Sequence, residues 1–207
     1  ICLNGCGARR RAQPRLTPAA RPHRYDRQME KPADQSLASY LASLAAPTPA
    51  PGGGSAAAVA TGMAAALVEM VAGLSLSKQP DGGDAALQQG ARDRAAAARM
   101  TLLQYADDDA AAYSGFIEAL RLPKNTNEER EARTVAISAA AVRAAEVPLQ
   151  TLQVATAIAN DAAALTDRSL ASAASDLEVA RRFARAAGRS AAENVEANLP
   201  YIEESET

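Results

Sequence analysis

The segment Pro47–Leu76, PTPAPGGGSAAAVATGMAAALVEMVAGLSL, limits the folds open to this chain more than any other stretch. Pro47, Pro49 and Pro51 hold the approach extended, because each fixes its own φ and keeps its predecessor out of the α region. Gly52, Gly53 and Gly54 then permit backbone conformations that a side chain would block. Ser55 stands where a cap is expected for a helix opening at Ala56. Small residues such as Ala60, Gly62, Ala64, Ala72 and Gly73 keep that helix thin, so neighbouring backbones can approach closely. The segment reads as the central helix of a bundle.

Two other uses of this stretch fall away. Glycines opening onto a helix make an anion site, but no strand precedes them and the Lys-Ser/Thr pair of a phosphate loop is missing. The run is long enough to cross a bilayer, yet alanine supplies little insertion energy and Glu69 interrupts it. With 48% hydrophobic but only 3% aromatic residues, the core must be built from Ala, Leu, Val and Ile. Such a composition favours helix, and no stretch alternates as a strand would. The expected fold is an all-α helical bundle with Ala-rich central helices.

Residues 1–28 differ in kind from residues 29–207. They carry Arg9, Arg10, Arg11, Arg15, Arg21, Arg24 and Arg27 against Asp26 alone, roughly +6 in charge. Their Arg, Pro and Gly content forms no helical apolar stripe, so a disordered or non-native leader is expected there. The formal net charge of -2 therefore hides an acidic domain, which argues against nucleic acid as a partner. Cys2, Cys6 and His23 all lie in the leader. From Met29 onward there is no Cys and no His. That removes disulfides, the usual zinc sites and Cys-His or Ser-His-Asp catalysis from the domain. Acid–base chemistry must use Asp, Glu, Lys or Tyr, and the lack of disulfides fits the cytoplasm.

A short helix is expected from Ser36 to Ala45, with Leu37, Leu41 and Leu44 on one face. KQPDGG at Lys78–Gly83 is a turn. A long helix follows from Asp84 towards Leu120, in which Leu102, Asp109 and Phe116 recur every seven residues. Asp109 thus falls on the apolar stripe, whereas Asp107 points elsewhere. Thr126 and Glu129 form a capping box for a helix reaching about Glu146, where Pro148 breaks it or starts another to Leu165. The last helix, from about Ser175, aligns Asp176, Ala180, Ala184, Ala187, Ala191, Asn194 and Asn198. One acid and two amides on an alanine stripe suggest a polar site between helices.

Several of these motifs together resemble the cyclodeaminase/cyclohydrolase family: the PGGGS helix start, DDDAAAYSGFIEALRLPKNTNEE, AAEVPL, ASD and ENVEANL, in family order from Ser36 to Leu199. The resemblance implies an all-α bundle that forms a homodimer and acts on the one-carbon bridge of tetrahydrofolate without metal or nucleotide cofactor. The positions matching the family's motifs are Gly52, Gly53, Gly54, Ser55, Lys78, Asp107, Asp109, Lys124, Asp176, Asn194 and Asn198. Asp167-Arg168-Ser169 replaces the Gly-Asn loop usual in the family, Glu178 stands for a glycine, and the chain reaches Thr207 without the family's final helix.

The implied chemistry suits these residue types. Water adds to the cationic methenyl carbon and the N5–C bond opens, so a nearby carboxylate stabilises the cation and takes the water's proton. Asp109, desolvated by its apolar neighbours, is the expected acid/base group, with Asp107 and Lys78 as further catalytic candidates. Asp176 is expected on the pterin edge, where a carboxylate accepts paired hydrogen bonds. Lys78 and Lys124 suit the substrate's glutamate carboxylates. A methenyltetrahydrofolate cyclohydrolase is the first expectation; a formiminotetrahydrofolate cyclodeaminase or a non-catalytic helical dimer are the alternatives.

Overall fold

A computed structural model describes residues 31–80 and 82–202. The expected leader and the acidic residues after Ile202 lie outside them. Five helices follow in order: α1 Leu37–Ala45, α2 Gly53–Lys78, α3 Ala85–Leu120, α4 Asn127–Ala164 and α5 Ala174–Asn198. Among the described residues there is no strand. The all-α expectation holds.

Helix α2 sits at the centre because its side chains are small enough to let three helices touch it. It packs against α3, α5 and α4. Ala58, Ala64, Ala65, Val68, Val71 and Ala72 are fully buried along it, and a Cβ added at Gly62 would meet Leu102 Cβ at ordinary contact distance. Leu102, Ile158 and Leu165 supply the bulk that alanine does not. By length and composition α2 would pass for a membrane span. Here it forms the core, and Glu69 at its margin accepts from Arg99 Nε at 2.8 Å.

Two local expectations need correction. Ser55 is not the cap of α2. The helix opens three residues earlier than expected, at Gly53 with Gly52 as its N-cap, because glycines already provide the bare backbone start and Ser55 is needed inside. Pro148 neither ends nor starts a helix. Helix α4 runs unbroken through it, since burial of Pro148 within the bundle offsets the one hydrogen bond it removes. The capping box of Thr126 and Glu129 forms as expected, both halves being present.

Candidate active site

The site is built where the start of α2 meets the middle of α3. Asp109 lies on the α3 face directed at α2, and its Oδ2 accepts a hydrogen bond from the Ser55 N–H at 2.9 Å. Its carboxylate lies over Gly54 so closely that a Cβ added there would stand 2.6 Å from Asp109 Cγ. Only glycine fits. Burial raises the Asp109 carboxyl pKa above its ordinary value, and the Ser55 N–H draws it partly back. A partly desolvated carboxyl group is thereby held at the positive end of a 26-residue helix. The N–H groups of Gly53 and Gly54 lack intrahelical acceptors, as at any helix start.

The Ser55 side chain serves the scaffold. It is fully buried and shares a hydrogen bond with the Tyr40 hydroxyl at 3.2 Å. That contact ties α1 to the first turn of α2. Burial pushes the Tyr40 hydroxyl up, only partly offset by its bond to Ser55.

The opposite wall comes from the end of α5. A Cβ on Gly53 would lie 3.6 Å from Asn194 Nδ2. Asn194 donates to Ser190 O at 2.7 Å, and Asn198 donates to Asn194 O at 2.8 Å and Ala144 O at 3.3 Å. Both amide nitrogens are thus engaged with carbonyls, which leaves the amide oxygens as acceptors for a ligand. Gly52, Gly53, Gly54, Asp109, Asn194 and Asn198 line one cleft of about 160 Å³, together with Pro49, Ala50, Tyr113 and Ala144.

Other sequence candidates lie elsewhere in the chain. Asp107 is buried and accepts from the Ala33 N–H at 3.1 Å, so it fastens the Pro32–Asp34 turn to α3. Lys78 is exposed at the far end of α2, about 37 Å from Gly53 at 1.5 Å per residue. Asp176 occupies the first turn of α5, about 27 Å along that helix from Asn194. It therefore cannot share a pterin edge with Asp109 inside one chain. Lys124 is exposed beyond α3 and gives only its carbonyl, to Arg130 Nη1 at 3.1 Å. The cleft residues that sequence reasoning passed over are Pro49, Ala50, Tyr113 and Ala144. Tyr113 follows Asp109 by four, a spacing that places both on one helix face.

Fold and cleft together define a helical-bundle protein with a desolvated carboxylate and two amides around a helix N-terminus. The chain belongs to the formiminotransferase-cyclodeaminase family, whose profile matches residues 36–207. It is 34% identical over 171 residues to a methenyltetrahydrofolate cyclohydrolase of Methylorubrum extorquens, covering 83% of this chain and 82% of that one. It is likewise 34% identical to the rat formimidoyltransferase-cyclodeaminase over 72% of this chain, which spans only 28% of that longer protein. A crystal structure of formiminotetrahydrofolate cyclodeaminase from Thermotoga maritima superimposes with a TM-score of 0.73 at 26% identity, covering 82% of this chain and 81% of that one.

Proposed function

We propose that this protein is a folate one-carbon enzyme, a methenyltetrahydrofolate cyclohydrolase. The observation that carries the reading is the Asp109 carboxylate, desolvated and fixed over Gly54 by the Ser55 N–H. Similarity to the Methylorubrum cyclohydrolase over most of both chains supports that choice of reaction. Water attacks the methenyl carbon, a C–O bond forms, and Asp109 takes the water's proton. The neutral adduct then loses its hydroxyl proton to solvent as Asp109 returns a proton to N5. The N5–C bond breaks and the formyl group stays on N10. The free N–H groups of Gly53 and Gly54 face the oxygen as its charge grows. The amide oxygens of Asn194 and Asn198 accept from the pterin's amino and ring N–H groups. Neither metal nor nucleotide enters these steps. A domain free of Cys and His suits the reducing cytoplasm.

The purified protein, offered each substrate separately, is expected to turn methenyltetrahydrofolate into 10-formyltetrahydrofolate faster than it releases ammonia from formiminotetrahydrofolate. The reverse ranking would transfer it to cyclodeaminase.

A homodimer belongs to the same reading. Helix α2 is apolar well beyond its buried face, and Met63, Met70 and Leu74 stay exposed on its outer face, a pattern that asks for cover. The cleft is also smaller than the roughly 300 Å³ at which ligand sites begin. Two α2 helices paired antiparallel about the midpoint of the helix, between Ala65 and Ala66, would lay Lys78 of the partner subunit beside the Gly53 end. Lys78→Ala and Asp109→Asn proteins, each inactive alone, should then regain about a quarter of normal activity when mixed and reassembled, since half the dimers carry one intact site. No recovery, or a monomer by light scattering, contradicts the arrangement.

A further inference from the structure

We infer that Pro148 is a positioning residue of the cleft, acting through Asn198; the inference rests on the folate reading above. Pro148 has no N–H to give to the carbonyl four residues earlier. That carbonyl is Ala144 O. It accepts instead from Asn198 Nδ2 at 3.3 Å, and both Ala144 and Asn198 line the cleft. Asn198 is the last residue of α5, where helices fray and side chains wander. It is only partly buried, so hydrogen bonds have a large share in fixing its rotamer. The missing N–H on α4 therefore supplies a second anchor, on a different helix, beside the one that Asn194 O gives within α5. With its nitrogen held by Ala144 O and Asn194 O, the amide must present its oxygen as the free acceptor.

This also explains why proline is tolerated 21 residues into a 38-residue helix. A partly buried carbonyl without a partner carries a cost, and Asn198 removes that cost from a different helix. The two residues thus act as a pair, 50 apart in sequence, although neither position alone signals it.

Restoring the N–H tests the pairing. In Pro148→Ala, the helix's own amide competes for Ala144 O, and Asn198 keeps only its bond to Asn194 O. Pro148→Val, which fills most of the ring's volume, guards against a packing defect. Both are expected to raise KM about 2–12-fold, the worth of one hydrogen bond, with kcat within about twofold. Asn198→Ala is expected to do the same, and adding it to Pro148→Ala should raise KM no further. An independent readout is the Asn198 side-chain amide followed by NMR: the Nδ2 proton on Ala144 O should shift towards its solvent value in both Pro148 variants, while the one on Asn194 O stays. An unchanged Asn198 amide, unchanged KM, or additive effects in the double variant would overturn the inference. Wild-type protein without turnover would instead refute the folate reading, and the NMR arm would still decide the pairing.

Discussion

Asp109→Asn is expected to lower kcat by roughly 10²–10⁴-fold while the melting temperature holds or rises. The substitution keeps the side chain's shape over Gly54 and keeps an oxygen for the Ser55 N–H, but it removes the group that takes a proton from water. The stability side has a definite pH signature. Burial raises this carboxyl above its ordinary 3.8, so its ionisation opposes folding. The penalty is absent below the unfolded pKa and complete above the folded one. Wild type and variant should therefore melt alike in acid, and the variant should gain as the pH climbs through the raised pKa. Asp108, paired only with Gln104 on α3, is the control, and Asp108→Asn should leave turnover unchanged. A folded Asp109→Asn protein with normal turnover would remove Asp109 from the chemistry.

Gly54→Ala is the second large effect. The added methyl would stand 2.6 Å from Asp109 Cγ, and both partners sit on long helices that cannot yield locally. Asp109 must swing off the α2 N-terminus or α3 must back away. Overpacking of this kind costs about 1–3 kcal/mol of stability, and a misplacement of about 1 Å at a catalytic group costs on the order of 10²-fold in rate. Measured by kcat per folded molecule and by thermal melting, Gly54→Ala should lose both. Gly52→Ala is the comparison, because its Cβ would meet only Pro49 O at 3.7 Å. Equal losses in the two variants would mean that the loop's flexibility matters rather than the contact with Asp109.

The fold was legible where one residue decides one local outcome. Thr126 and Glu129 announce a helix start, and the spacing of Leu102, Asp109 and Phe116 turns one acid inward. Harder to read were features in which one helix answers another. Proline inside α4 looks like a break until Asn198 arrives from α5 to serve its orphaned carbonyl. Ser55 looks like a cap until Tyr40 comes from α1 to meet its hydroxyl. Asp107 looks as functional as Asp109, two residues away, yet the Ala33 N–H claims it for the scaffold. Asp176 shares a helical stripe with Asn194, but a stripe says nothing of distance along the axis, and α5 keeps the two at opposite ends.

The most direct test is the initial rate at which the purified protein converts methenyltetrahydrofolate, measured against the same buffer without protein. A saturable acceleration yielding 10-formyltetrahydrofolate, absent from a matched Asp109→Asn preparation, is the predicted result. Protein that is folded and assembled yet leaves the spontaneous rate unchanged would contradict it.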